Sequence, residues 1–249
     1  MFLDKLKMEF FGTFVLTFLQ AMMLMQLKVE NCDLVSVALG SFTAYCLMLW
    51  AGKSLSGAQY NPVITVSLML TRHMKPLKGA VFIAFQFLAA FFAISLTRMA
   101  VPPETNDVLE LNAMLGYPLW DVSGARKLLL EIIGSFFLVF AYYLLLLEKN
   151  APKHVFGAGI AAVYAVDTLF MFSKSGCALN PARMFAYHII SNKYDYMAAF
   201  MLGPVIGGAL GALLANSLLT EKAEAAKVRT KEDKRRKTIA AKMAESKYQ

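Results

Sequence analysis

The chain has 249 residues, of which 58% are hydrophobic and 17% are charged. Soluble domains are typically about 45–50% apolar and about 25% charged, so this composition excludes an ordinary soluble domain. Of the formal net charge of +8, residues 221–249 supply +5, from ten Lys or Arg and five Asp or Glu. The rest of the chain contains several apolar stretches near the roughly 20 residues that cross a bilayer, and it predicts a multi-pass membrane protein.

The first predicted span runs from about Leu6 to Leu27 and carries a carboxylate, Glu9, three residues before Gly12. We do not interpret it as a secretory signal, because the apolar run has no small-residue cleavage site. A carboxylate inside an apolar membrane helix is costly, so Glu9 is expected to face the bundle and find a partner. The second and third spans are predicted at about 34–52 and 77–100.

An Asn-Pro pair lies between the second and third spans, in the sequence Asn61-Pro62-Val63. Asn is a favoured N-cap and Pro is favoured at the first helical position. The pattern therefore predicts a loop at 53–60 and a helix from Asn61 to about Leu70. Ten residues rise about 15 Å, half the hydrocarbon thickness, so this helix should enter the membrane and stop midway. Such backbone is tolerated there only when buried in protein or lining a wet cavity.

The second half repeats this plan after a connector at 101–125. Spans are predicted at about 126–147, 155–172 and 197–219, and a second loop and half-helix occupy 173–190 with the box Asn180-Pro181-Ala182. Glu131 opens this half as Glu9 opens the first, and each precedes its Asn by about 50 residues. Repeats of three spans at about 6–100 and 126–219 must be inverted relative to each other, because three is an odd number.

The two boxes resemble the paired Asn-Pro-Ala boxes of the aquaporin, or major intrinsic protein, family, although Val63 stands where Ala is usual. The Ala-x-Gln run at Gln86 and the Gly-Pro-x-x-Gly run at Gly203 are similar to that family as well. The resemblance covers about residues 6–219. It implies an all-α transmembrane fold, a right-handed bundle of six spanning helices and two re-entrant half-helices, and a homotetramer with one pore per protomer.

The resemblance also implies site residues. The boxes themselves would line the pore with Asn61, Pro62, Val63, Asn180, Pro181 and Ala182. The narrow selectivity filter would be formed by Arg183, Cys177, Thr168 and Leu39. The fourth filter position falls between Leu39 and Ser41, because the loop before the first box is lengthened relative to the family. Glu9 and Glu131 would accept hydrogen bonds from the loops that carry the boxes.

Three departures from the family bear on the transported solute. Thr168 stands where strict water channels carry His, which implies a wider or differently shaped filter. Met184 stands where glycerol channels usually carry Asp, so the glycerol class is not supported either. Val63 would either narrow the midplane or pack behind Asn61. An altered first box with a basic tail is similar to the unorthodox intracellular aquaporins and the small basic intrinsic proteins.

Charge asymmetry predicts the orientation. Most Lys and Arg outside the spans fall on the side of the two termini, which the positive-inside rule places on the cytoplasmic side or its topological equivalent. Residues 1–219 then form the channel domain and 220–249 a basic tail, which is either solvated, attracted to anionic lipid or a docking surface for a larger membrane assembly. A location in the plasma membrane and one in an internal membrane are both compatible with these features.

The leading hypothesis is a passive channel for water that excludes protons and ions, with small neutral solutes left open as further cargo. The alternative is a structural membrane subunit that keeps the fold and conducts little. An enzyme is not expected, because the histidines His73, His154 and His188 fall in separate segments and no metal-type spacing appears. No cofactor, metal or nucleic-acid partner is expected.

Overall fold

The computed structural model describes residues 2–29, 33–100, 122–148 and 155–245. These residues are helical apart from short loops, and six helices are long and apolar enough to cross a membrane. Two short helices complete the set. The bounds are α1 Phe2–Val29, α2 Leu34–Lys53, α3 Pro62–Leu70, α4 Pro76–Ala100, α5 Gly124–Leu146, α6 Phe156–Ser175, α7 Pro181–Ser191 and α8 Met197–Glu245. The all-helical fold with six apolar helices is confirmed, while residues 101–121 of the connector lie outside the described residues.

The helices pack in pairs that the repeat relates to one another. α1 packs on α2 and α4, and their counterparts α5, α6 and α8 pack in the same combination. Each half-helix also packs on the last helix of the other repeat, α3 on α8 and α7 on α4. α2 and α6 pack against each other, and α3 contacts α7. Corresponding elements of the two repeats therefore meet at the centre of the bundle.

The closest helix crossing is made by glycines of α8 on α5. A Cβ atom added at Gly207 would lie 2.0 Å from the backbone oxygen of Ile132, and one at Gly211 would lie 2.5 Å from that of Phe136. No real side-chain atom fits at those distances. The glycine face lets the two backbones touch, which is how small residues support helix contact in membranes.

The last helix is longer than the predicted span at 197–219. It continues without a break to Glu245. The continuation is rich in Ala, Glu, Lys and Arg, which are strong helix formers, and it contains neither Gly nor Pro. An ion pair of 2.9 Å between Lys222 Nζ and Glu148 Oε2 joins this helix to the segment that follows α5.

Candidate pore and its two loops

The loops that precede α3 and α7 have the same backbone conformation. In each loop the residues one and three positions before the N-cap asparagine have φ near +50°: Ala58 and Tyr60 in the first loop, Cys177 and Leu179 in the second. The left-handed region costs an L-residue roughly 1–2 kcal/mol. Surrounding contacts must therefore hold both loops in place.

Glu9 supplies those contacts for the first loop. Its carboxylate is fully buried and accepts hydrogen bonds from the backbone N–H of Gln59 at 3.0 Å and of Tyr60 at 2.7 Å. The hydroxyl of Ser56 donates to it at 2.5 Å, and the Gln86 amide donates at 2.9 Å. Four donors thus converge on one carboxylate, which ties the loop to α1 and α4.

Glu131 occupies the corresponding place beneath the second loop. It is also fully buried, and it accepts from the backbone N–H groups of Ala178 and Leu179, both at 2.9 Å. Each carboxylate therefore accepts from two consecutive N–H groups of the strained loop of its own repeat. Hydrogen bonding of this kind offsets the cost of burying a carboxylate in an apolar bundle.

The two box asparagines cap the half-helices and bind the opposite loop. The side-chain oxygen of Asn61 accepts from Val63 N at 2.9 Å, and that of Asn180 accepts from Ala182 N at 3.0 Å. The amide of Asn61 donates to the backbone oxygen of Leu179 at 2.8 Å, and the amide of Asn180 donates to that of Tyr60 at 3.0 Å. These reciprocal bonds bring the N-termini of α3 and α7 together, with Pro62 and Pro181 as their first residues.

Asn61 has a further neighbour that the sequence analysis missed. Its side-chain nitrogen also donates to the hydroxyl of Tyr164 on α6 at 3.2 Å. The Tyr164 ring stacks on Tyr45 of α2, with ring centroids 3.7 Å apart and an interplanar angle of 17°. A signal for this pair was present, because each tyrosine precedes the box asparagine of its own repeat by sixteen residues.

Three of the four predicted filter residues lie together. Arg183 is buried, and its Nη2 donates to the backbone oxygens of Cys177 at 2.7 Å and Ala178 at 3.1 Å. The Cys177 thiol lies within hydrogen-bonding reach of Thr168. Arg183 Nε and Nη1 have no hydrogen-bond partner within the described ranges. The arginine therefore keeps two buried donors for whatever occupies the space beside it.

The structure does not bring Leu39 to this group. Its side chain is 63% exposed and lines an outer groove with Leu19 and Met23 of α1. Ser41, two residues further, is buried, and its hydroxyl has no partner among the described residues. Successive helical residues are about 100° apart, so a shift of two residues moves a side chain to the opposite face of α2. The assignment of Leu39 to the filter is corrected, and Ser41 is the inward-facing position.

Val63 packs behind Asn61. It is fully buried, and a Cβ atom added at Gly208 of α8 would lie 2.2 Å from Val63 Cγ1. Its bulk is accommodated by that glycine. Of the two interpretations left open by the sequence, the structure favours packing against α8 over narrowing of the midplane.

Asp167 lies next to Thr168 on α6 but faces a different neighbour. Its carboxyl carbon would be 3.6 Å from a Cβ atom added at Gly134 of α5, and it is buried with Oδ2 unpartnered in the part of the chain that the structure describes. The second repeat thus contains a buried carboxyl oxygen in need of a donor, close to the loop held by Glu131.

Comparison with known proteins agrees with this architecture. Residues 1–215 match the model of the family described as Major intrinsic protein. The probable aquaporin TIP4-1 of Oryza sativa subsp. japonica is 30% identical over 190 residues, which cover 76% of this chain and 73% of that protein. Aquaporin C of Dictyostelium discoideum is 28% identical over 231 residues, covering 89% of this chain and 82% of that protein.

A solved structure shows the same fold. The aquaglyceroporin from Plasmodium falciparum superposes with a TM-score of 0.75, although its sequence is only 18% identical. The match covers 88% of this chain and 99% of the aquaglyceroporin.

Proposed function

Because the chain belongs to the major intrinsic protein family and is a membrane channel of that family, we propose that it passively conducts water and excludes protons and ions. The observation that carries the proposal is the crossed pair of asparagine amides at the N-termini of α3 and α7. Small neutral solutes are a second class of permeant, and the stopped-flow experiment measures them as well.

The exclusion of cations follows from the two helix ends. Each N-terminus carries roughly half a positive charge from its unsatisfied N–H groups. Asn61 and Asn180 cap those ends, and Asn180 keeps one amide hydrogen that no described acceptor takes. A water molecule that accepts a hydrogen bond there is oriented against proton transfer along the file, and the helix dipoles repel hydronium. No bound ion, nucleotide or titrating side chain is required.

We assign the filter to Arg183, Cys177, Thr168 and Ser41. The two unpartnered nitrogens of Arg183 would donate to a passing solute and repel cations. The other three side chains are small, so this filter is wider than one with an aromatic and a histidine. In line with the family, we expect a homotetramer with one pore per protomer and both termini on the cytoplasmic side.

The direct test is stopped-flow light scattering on proteoliposomes. An osmotic step measures water permeability, and steps with glycerol, urea and hydrogen peroxide measure the neutral solutes. We expect water permeability clearly above that of protein-free liposomes, together with unchanged proton flux under a pH gradient. Permeability equal to that of empty liposomes, in the wild type and in variants with smaller pore-lining side chains alike, would contradict the channel proposal.

The alternative is a structural membrane subunit with the same fold and little conductance. The contact of Tyr164 with Asn61 favours it, because a side chain occupies a place that a conducted solute would need. Protein that is incorporated and monodisperse, and that conducts neither as the wild type nor with smaller pore-lining side chains, would support this alternative. Recovery of a larger membrane complex through a tagged tail would then be the next measurement.

A further inference from the structure

We propose that Tyr45 and Tyr164 limit permeation through this channel by closing the solute path at the level of Asn61. This inference rests on the proposed channel function and concerns a position outside the boxes and the filter. It makes the stacked tyrosines, rather than Arg183, the narrowest point of the path.

The internal repeat places the two tyrosines at equivalent positions. Tyr45 and Tyr164 occupy equivalent positions, each sixteen residues before the box asparagine of its own repeat. Their helices, α2 and α6, pack on each other between the two repeats. Equivalent residues of inverted repeats touch only near the axis that relates the repeats. The two box asparagines, whose amides bind the opposite loops, lie at that same centre.

The amide of Asn61 has both of its hydrogens in hydrogen bonds. A side-chain amide has two N–H hydrogens. One is donated to Leu179 O and the other to the Tyr164 hydroxyl. No donor of Asn61 remains for a solute while Tyr164 is in place, and a water molecule must displace that hydroxyl to bind there. Asn180 donates to one described acceptor, Tyr60 O, and keeps its second hydrogen.

The tyrosine pair lies along the proposed solute path, near the filter residues. Tyr164 precedes Thr168 by one helical turn, and its backbone oxygen accepts the Thr168 hydroxyl at 2.8 Å. The Tyr45 hydroxyl lies near Arg183 and Cys177 of the proposed filter. The rings thus stand between the asparagines and the proposed filter. Both are almost completely buried, with 5% and 3% of Tyr45 and Tyr164 exposed.

These contacts define what opening requires. Tyr164 must give up the hydrogen bonds of its hydroxyl to Asn61 and Tyr45, and must slide or rotate against the ring of Tyr45. Removing the hydroxyl alone weakens the closed arrangement but keeps its bulk, whereas removing the ring abolishes both. A structural core role would instead make both changes destabilising without raising conduction.

The experiment compares Tyr164→Phe, Tyr164→Ala and Tyr45→Ala with wild-type protein in proteoliposomes, at equal amounts of incorporated protein. Tyr143→Phe is the matched control, because that buried hydroxyl is bonded to Thr71 at 2.6 Å, beyond the C-terminus of α3. We expect water permeability to rise about fivefold or more in Tyr164→Phe, since one neutral hydrogen bond corresponds to about fivefold and the Tyr164 hydroxyl bonds to both Asn61 and Tyr45. Both alanine variants should gain tenfold or more, because the stacked pair is lost as well, and Tyr143→Phe should equal wild type.

Size-exclusion chromatography establishes that each variant is folded. Wild-type protein at the level of empty liposomes with conducting alanine variants would support closure by the pair and show that the resting channel is shut. A conducting wild type with unchanged tyrosine variants would overturn this inference and leave the channel proposal standing. If every protein, including the alanine variants, matches empty liposomes, both are overturned.

Discussion

The first loop with α3 and the second loop with α7 share a backbone conformation, yet they differ in how completely their polar atoms are paired. In the first unit, Glu9 receives four donors and both amide hydrogens of Asn61 have acceptors, and of its described buried side-chain polar atoms the Ser67 hydroxyl alone lacks a partner. In the second unit, Arg183 retains two unpartnered nitrogens, and the nearby Asp167 retains one unpartnered oxygen, within the residues that the structure describes.

Unpaired polar atoms are informative because burying them costs free energy. A buried donor or acceptor without a partner costs about 1–3 kcal/mol. Native proteins rarely retain such groups unless water, an ion or a ligand satisfies them. We infer that the first unit mainly holds the bundle together and that the second unit mainly meets the solute. The following predictions test that division.

The largest effect is expected from removing the two carboxylates. Glu9→Ala leaves four buried donors without their acceptor, and at about 1–3 kcal/mol each it should prevent recovery of folded protein. Glu131→Ala strands one donor fewer, namely two backbone N–H groups and the Ser175 hydroxyl, so we expect a smaller loss: folded protein with a lower melting temperature. Yield and thermal unfolding in detergent measure both, and equal losses would remove the proposed difference between the units.

The next effect concerns selectivity. In the Tyr164→Ala background, where the tyrosine pair no longer limits the path, Arg183→Ala should raise urea and glycerol permeability by about tenfold, because loss of the guanidinium widens the filter. The control is Arg98→Ala, since Arg98 Nη1 donates to Ile190 O at 2.8 Å on an exposed part of the surface. Proteoliposome solute uptake measures both variants. If Arg183→Ala admits no more solute than Arg98→Ala, the filter assignment fails.

Val63→Ala restores the usual box and tests the framework role of the first unit. The substitution removes two methyl groups that pack against Gly208, so unfolding should become easier by about 1.5 kcal/mol. Water permeability should stay the same, because the bulk lies behind Asn61. Val35→Ala is a suitable control, as Val35 is 64% exposed on α2. Faster water flow in Val63→Ala would place the valine in the pore after all.

The smallest effect separates two neighbouring positions of α2. Ser41→Val replaces an inward-facing hydroxyl with a methyl group and adds a second methyl group, and it should lower water permeability by about twofold, within the range of one weak hydrogen bond. Leu39→Val should change nothing, because its side chain lies on the outer groove. The same stopped-flow assay compares them. A larger effect at Leu39 than at Ser41 would place Leu39, and not Ser41, in the filter.

Much of this architecture follows from local sequence rules. Long apolar stretches predicted all six spanning helices to within a few residues at most ends, because the cost of exposing polar backbone to lipid leaves few alternatives. The Asn-Pro boxes predicted the N-termini of α3 and α7, since both residues act within their own helical turn. Glu9 and Glu131 were expected to need buried partners because a lone carboxylate is so costly in lipid.

Features that depend on packing between distant segments were not predictable in the same way. Leu39 and Ser41 differ by only two positions, so an uncertain loop length was enough to choose the wrong face of α2. The side of Asn61 on which Val63 packs depends on Gly208, which is 145 residues further along the chain. The contact between Tyr45 and Tyr164 appears only when the repeats are aligned and folded against each other. Helix α8 was predicted to end near 219 because the apolar stretch ends there. The residues that follow still have high helix propensity, so the helix continues.

The unbroken course of α8 has a mechanical consequence. From Lys222 to Glu245 the helix rises about 35 Å at 1.5 Å per residue. A straight helix of that length can act as a lever arm. The Lys222–Glu148 ion pair holds its base, and the membrane-spanning part of α8 packs through its glycines on α5. A lateral force on α8 near Glu245 would therefore be transmitted as a torque to the helix bundle, whereas a flexible tail would not transmit it.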